Sequence, residues 1–270
     1  VVFNTSMTGY QEVLTDPSYS GQLVVLTYPI IGNYGINLRD NESERIQVAG
    51  LIVRESCDYP SHELSNLSLD EFLMTQNIPA IKNVDTRAIT RAIRRSGVMM
   101  GYIHHLSDEE GVERSYQTTD AEYRAPENIH SALAENLLAK LEHLPKYDQV
   151  DFVKRVTTKD AYNWTGETNI VGVNKRIVVL DFGLKYNILR NLEARGCEVL
   201  AVPANSSPGD IWEIKPDGIV LSPGPGDPAL LQNIITSVGK LLGRVPILGI
   251  CLGHQILARA MGGKTFKLKF

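Results

Sequence analysis

The sequence predicts an α/β protein in two parts. A mixed α/β domain and its connection occupy residues 1–150, a linker follows at 151–174, and a doubly wound, mostly parallel-sheet domain fills 175–270. Three observations lead there. From residue 175 onward, β-branched apolar runs alternate with helical stretches, the pattern of parallel strands with helices on both faces. The first part is different: short strands bounded by Gly, Pro and Asn turns, interrupted by two short helices. Between them, residues 107–160 are polar and weakly periodic apart from a helix expected at 131–142, as suits a connection between domains.

Val1-Val2-Phe3 reads as the middle of a strand, and so do residues 267–270, so the chain is expected to be a piece of a longer protein. Residues 23–27 and 47–53 are the next expected strands. Ser68, with Glu71 three positions on, has capping-box spacing and announces a helix over 69–76. Asp85 is the expected N-cap of a helix over 86–96 that stops at Gly97. On that helix Ile89 and Ile93 share a face, while Arg87, Arg91, Arg94 and Arg95 dominate the rest, as a solvated face or a binding surface. In the second domain, strands are expected at 176–181, 198–202, 218–221 and 245–250, with helices at 187–195, 230–242 and 254–261. Sites in such sheets lie at the carboxyl ends of the strands.

Composition narrows the function classes. A chain of 270 residues, 43% apolar, can bury a core in each of two domains. Its net charge of −4, evenly mixed, leaves no basic footprint for nucleic acid or an anionic membrane. No apolar run approaches the ~20 residues of a membrane span. The three cysteines, Cys57, Cys197 and Cys251, are far apart and lack metal-ligand spacing. Such a sparse, odd count fits a cytoplasmic protein, in which a lone cysteine can be a reactive thiol.

One cysteine stands out. The strand expected at 245–250 runs into Gly249-Ile250-Cys251-Leu252-Gly253, and a helix follows at once. This is a nucleophile elbow with cysteine in place of serine. The sharp turn lifts the side chain clear of the sheet, and glycines on either side keep the space beneath it empty. The helix N-terminus favours negative charge at the sulfur. The alternative is a structural cysteine buried in a tight strand-to-helix turn.

A second constellation follows the strand at 218–221: Pro223-Gly224-Pro225-Gly226-Asp227-Pro228. Such a turn exposes backbone N–H groups, and acyl transfer needs donors aimed at an oxyanion. The N–H groups of Gly224 and Leu252 are the candidates; an ordinary surface turn is the alternative. His254 lies in the first turn of the elbow helix, tied to it rather than set across a cleft, which argues against it as the general base. His62, His104, His105, His130 and His143 lie in the first part or the connection without an orienting motif.

The motif Gly249-Ile250-Cys251-Leu252-Gly253-His254-Gln255 closely resembles the triad-type (class I) glutamine amidotransferases, several of which also carry the Pro-Gly-rich turn. The first domain narrows the resemblance. Residues 3–12 with Leu14-Thr15-Asp16-Pro17-Ser18-Tyr19, then Asp85-Thr86-Arg87 and residues 181–190, resemble the small, glutaminase subunits of carbamoyl-phosphate synthetases. The resemblance spans nearly the whole chain and is loosest at 107–144.

The resemblance implies that Cys251 attacks the side-chain amide of L-glutamine, forming a γ-glutamyl thioester and ammonia, and that water then releases glutamate. Ammonia would pass to a large synthetase subunit making carbamoyl phosphate for arginine and pyrimidine biosynthesis, with ATP and metal expected only in that partner and no cofactor in this subunit. By motif position, Ser18, Gly224, Gly226, Leu252 and Gln255 are the implied substrate-binding residues, so the first domain would border the site. The first domain is also the expected docking surface for the large subunit. One departure stands against the family pattern: its catalytic His-x-Glu segment, expected well beyond the elbow, does not occur in residues 252–270. A different amidotransferase of the anthranilate or GMP synthetase type, a non-catalytic interaction subunit and a stand-alone cysteine hydrolase are the rival readings; the first domain opposes the first of them.

Overall fold

The computed structural model describes residues 1–104, 130–165 and 174–268. His105, residues 166–173 of the expected linker and the last two residues of the expected terminal strand lie outside the described residues.

Among the described residues, the first domain is built on four strands: β1 (Val2–Asn4), β2 (Leu23–Leu26), β4 (Gly50–Ile52) and β6 (Ala80–Ile81). They pair in that order and all in parallel, with Val2 opposite Val24, Leu23 opposite Gly50 and Leu51 opposite Ala80. A small parallel pair, β3 (Ile30–Ile31) and β5 (Glu55–Ser56), stands beside them. The core joins the sheet residues Val24, Leu26 and Leu51 to Tyr10 and Leu14 of α1 (Tyr10–Thr15) and to Leu69, Phe72 and Leu73 of α2 (Leu69–Thr75). Ser68 and Glu71 form the expected capping box at the head of α2.

The third helix, α3 (Thr86–Ser96), starts at Asp85, whose carboxylate accepts the Ala88 N–H, and stops at Gly97. It turns Thr86, Thr90 and Ile93 inward and leaves Arg87, Arg91, Arg94 and Arg95 exposed. Ile89 is only half-buried.

Within the expected connection lie α4 (His130–Glu142) and α5 (Val153–Val156). The segment between them touches both domains. Tyr147 stacks on Phe152 at 4.4 Å, and its hydroxyl accepts from Gln22 at 2.7 Å and donates to the Ser20 carbonyl at 3.2 Å. Val153 is buried in the core of the second domain.

That domain alternates as the sequence reads: β8 (Lys175–Asp181), α6 (Tyr186–Glu193), β9 (Cys197–Pro203), α7 (Pro208–Glu213), β10 (Gly218–Leu221), α8 (Gln232–Gly239), β11 (Ile247–Gly249) and α9 (Leu252–Ala260). The sheet order is β11-β10-β8-β9-β7, parallel except for the short edge strand β7 (Tyr162–Asn163). On one face Val178, Leu180, Ile219 and Leu221 pack against Ile211, Ile235, Val238 and Ile256 from α7, α8 and α9. On the other, Val179, Val199 and Val220 pack with Leu189 of α6.

Because β8 leads through α6 to β9 on one side while β10 leads through α8 to β11 on the other, the chain reverses direction between β8 and β10. A crevice opens at the carboxyl ends of strands that part in this way. On the α6 face Val220, Leu248 and Ile250 with Ile188 and Leu192 line an open cleft of about 420 Å³.

Several expected boundaries are corrected. The stretch 230–242 splits into a 3₁₀ turn at Pro228–Leu230 and the shorter α8, since Asp227 and Pro228 favour a separate turn before the helix. The elbow helix begins at Leu252 rather than at 254, because the whole change of direction is taken up by Cys251. The strand expected at 267–270 is irregular at Lys267 and Leu268. Lys267 instead pairs with Asp148 at 2.9 Å, and Leu268 is exposed.

Candidate active site

The site grows from the end of β11. Pairing with β10 continues one step past the strand, as the Ile250 N–H donates to the Leu221 carbonyl at 3.0 Å. The next residue, Cys251, takes φ 51° and ψ −110°, in a region that costs a non-glycine residue roughly 1–3 kcal/mol. Helix α9 starts immediately, with the Gln255 N–H donating to the Cys251 carbonyl at 3.1 Å. Cys251 is exposed, which sets it apart from a structural cysteine packed inside a turn.

The flanking glycines are required by contact. A Cβ on Gly253 would lie 2.1 Å from the Leu221 carbonyl oxygen, and one on Gly249 would lie 2.7 Å from the backbone of His254. The elbow therefore folds tightly against the end of β10, held by the Gly253 N–H donating to the Ser222 carbonyl at 3.1 Å.

The Pro-Gly turn closes over the same place. A Cβ on Gly224 would stand 2.1 Å from the Phe182 carbonyl oxygen and 3.0 Å from Leu252 Cδ2, so the turn lies between the end of β8 and the start of α9. Leu252 is the first residue of α9, where a helix leaves its N–H without an intrahelical acceptor. Buried Ser222 links the two strand ends: its hydroxyl accepts the Phe182 N–H at 2.8 Å and donates to the Pro223 carbonyl at 2.8 Å. Asp181, also buried, accepts from Gly183 at 2.9 Å, from Leu184 at 2.7 Å and from Thr158 at 2.7 Å. Burial pushes its carboxyl above the ordinary range, and these three bonds partly offset the effect.

The first domain reaches this crevice through a 3₁₀ turn, Pro17–Tyr19. Gly183 is the meeting point: a Cβ there would lie 2.9 Å from Gly224 Cα, 3.0 Å from Pro225 Cδ and 3.2 Å from Pro17 Cβ. Ser18 thus stands on the segment that borders the Pro-Gly turn, half-buried, with its N–H held by Asp16 Oδ1 at 2.8 Å. Asp16 Oδ2 meets Lys185 Nζ at 2.6 Å. Burial lowers the Lys185 pKa, but the bond and charge of Asp16, with Glu42 behind, outweigh it and hold the ammonium above the ordinary lysine range.

Of the residues singled out in the sequence, Cys251, Leu252 and Gln255 share one elbow, Gly224 packs on it, and Ser18 arrives beside the turn from the other domain. Gly226, at φ 94°, belongs to the same Pro-Gly turn, where a Cβ would lie 3.7 Å from the Val150 carbonyl oxygen and 4.0 Å from Phe152 Cδ2. His254 and Gln255 are exposed in the first turn of α9, and His62 and His143 are exposed elsewhere. The residues that hold the site together, Asp16, Asp181, Lys185 and Ser222, were not singled out individually. All four left a trace in the sequence: Asp16 within the Leu14–Tyr19 motif, Asp181 and Ser222 as polar residues closing apolar strands, and Lys185 within the 181–190 motif.

Known proteins resemble the chain over both of its domains. Residues 1–103 match the family model described as carbamoyl-phosphate synthase small chain, CPSase domain, and residues 178–270 match glutamine amidotransferase class-I. The chain is similar to the carbamoyl phosphate synthase small chain of Syntrophotalea carbinolica, at 45% identity over 279 residues, covering 100% of this chain and 68% of that protein. The small chain of Solidesulfovibrio magneticus is 44% identical over 281 residues, with 100% and 68% covered. The pyrimidine-specific small chain of Halalkalibacterium halodurans is 43% identical over 270 residues, with 100% and 66% covered. The chain spans about two thirds of the length of these relatives.

Proposed function

Since the chain belongs to the carbamoyl-phosphate synthase small chain family, we propose that it serves as the glutaminase of such a synthetase, with Cys251 as the nucleophile. The observation that carries this reading is the backbone of Cys251: an exposed thiol at φ 51°, on a turn that only flanking glycines permit.

The Cys251 sulfur attacks the side-chain amide carbon of glutamine, and the tetrahedral oxyanion is received by the N–H groups of Leu252 and Gly224. Collapse of that intermediate breaks the C–N bond, releases ammonia and leaves a γ-glutamyl thioester. Water hydrolyses the thioester to glutamate and restores the thiol. Ser18, Gly226 and Gln255 contribute to binding the substrate. The proton transfers are assigned to the histidine and glutamate of the family's His-x-Glu segment.

Ammonia passes to a large synthetase subunit, which consumes it in making carbamoyl phosphate. Ammonium, the main form at neutral pH, is a poor nucleophile, so direct delivery across a stable interface avoids its loss to water. The first domain, with the arginine face of α3, is the docking surface for that partner.

The test uses the full-length protein with its partner. Cys251→Ala should abolish glutamine-dependent synthesis of carbamoyl phosphate while synthesis from free ammonia continues. A variant that hydrolyses glutamine at the native rate overturns the assignment.

A further inference from the structure

Helix α6 follows directly on Lys185, whose side chain makes no capping bond among the described residues. Its first N–H groups are satisfied from the other domain by a single residue. The Glu42 carbonyl accepts the Tyr186 N–H at 2.9 Å, and the Glu42 carboxylate accepts the Asn187 N–H at 3.0 Å. One turn further on, the Arg190 guanidinium donates to the Asn41 carbonyl at 3.0 Å. Glu42 is 8% exposed, and an acidic side chain at this end of a helix interacts favourably with its dipole.

Behind this cap, a chain of hydrogen bonds leads back to Ser18. The Glu42 N–H donates to Thr15 Oγ1 at 2.9 Å, and Ser43 Oγ donates to the Thr15 carbonyl at 2.6 Å. Asp16 comes next, with one oxygen on the Ser18 N–H and the other on Lys185. Segments 15–18 and 41–43 therefore form one braced unit, gripping 183–187 from the first domain. Without the Glu42 side chain, the braced unit is held on the second domain by Asp16 on Lys185, by Arg190 on the Asn41 carbonyl and by the contact of Pro17 with Gly183.

We propose that Glu42 is a positioning residue: by capping α6 across the domain boundary it fixes where Ser18 meets glutamine. This rests on the glutaminase reading above. It separates two properties of the site, since the elbow is held by β10 and α9 and does not depend on Glu42. Loss of the cap should therefore weaken substrate binding more than it changes the nucleophile.

The experiment compares Glu42→Ala, Glu42→Asp and Glu42→Gln in the full-length protein with its partner. Steady-state glutamine kinetics are read beside the rate of Cys251 alkylation by iodoacetamide. Glu42→Ala should raise KM for glutamine about tenfold, with kcat within about threefold of wild type and alkylation unchanged. Glu42→Gln, whose amide oxygen can still accept the Asn187 N–H, should stay within about twofold of the wild-type KM. Should the alanine variant fail to fold, Glu42→Asp carries the test: it keeps the charge, withdraws the oxygen by one methylene and should raise KM in the same direction. A wild-type KM in the alanine and aspartate variants overturns the proposal, as does a fall in kcat and alkylation together with the rise in KM. Cys251→Ala in the same assay separates the two levels. If it hydrolyses glutamine normally, the glutaminase reading falls and this inference with it; if it is inactive while the Glu42 variants bind normally, only the inference falls.

Discussion

Asp16 and Lys185 meet at 2.6 Å across the boundary between the domains, and the same carboxylate caps the turn that carries Ser18. The Asp16 side chain is 8% exposed and that of Lys185 35%, so the pair is neither a surface bridge nor fully desolvated. Lys185→Met should leave a buried carboxylate without its cation. The expected loss is about 2 kcal/mol, less than the ~3–5 kcal/mol of a fully buried pair, because solvent screens the lysine. The Lys185 pKa is raised in the folded state, so this contribution is complete below the ordinary lysine pKa of about 10.4 and fades as pH climbs through the folded value. Urea melts should show the same deficit at every pH from about 6 to 9 and a shrinking one above about 10.5. A deficit that disappears near neutral pH refutes this account.

Gly253→Ala should break the elbow. The added Cβ would sit 2.1 Å from the Leu221 carbonyl oxygen, and backbone on both sides has no room to yield. A cost of about 2–4 kcal/mol and loss of glutamine hydrolysis are expected. Gly239→Ala is the control. It lies at the end of α8, and its Cβ would meet only the Ala260 carbonyl oxygen, at 3.9 Å, so it should be neutral or stabilise by about 0.5–1 kcal/mol. Equal effects at both positions on the melting temperature would contradict the steric argument.

Asp181→Asn is nearly isosteric yet should destabilise. Oδ1 accepts from Gly183 and Leu184 while Oδ2 accepts from Thr158, so an amide group satisfies one side and turns an N–H₂ toward a donor on the other. About 1–3 kcal/mol should be lost in a denaturation curve. Wild-type stability would mean that the Thr158 bond contributes nothing.

The half-buried Glu12 has an oxygen, Oε2, without a hydrogen-bond partner among the described residues. Burial holds its carboxyl above the ordinary range, with help from the charges of Asp40 and Glu42 and against a backbone hydrogen bond from its own residue. The folded state then binds more protons than the unfolded one just above the ordinary glutamate range, so stability falls as pH rises through that window. Glu12→Gln removes the effect, and its advantage over wild type should grow between about pH 4 and pH 7. An advantage independent of pH, read from melts across that range, would refute the role of charge.

Reversing charge at Arg91 and Arg94 together tests the docking surface. Both are exposed on α3, whose buried side is made by Thr86, Thr90 and Ile93, so folding should be untouched. Affinity for the large subunit should fall by about tenfold or more, and glutamine hydrolysis should become uncoupled from carbamoyl phosphate formation. Unchanged binding in a titration calorimeter excludes this helix from the interface.

The sequence by itself determined whatever depends on neighbours within a few positions. The alternation of apolar runs set out the strands and helices of the second domain, Ser68 with Glu71 announced α2, and Asp85 with Gly97 bounded α3. The elbow was legible from the spacing of its glycines around Cys251, although the atom that Gly253 must avoid, the Leu221 carbonyl oxygen, belongs to the neighbouring strand β10. Only the tertiary structure decided how the strands of the first domain pair. Apolar patterning marks a strand but does not say that β1, β2, β4 and β6 run parallel. It alone also decided how Ser18 reaches the crevice. Asp16 meets Lys185, and Glu42 caps α6, between segments far apart in the chain, and no local periodicity records such contacts. They are formed by two separately built cores coming together, where buried charges and open helix ends must find partners that the nearby sequence does not supply.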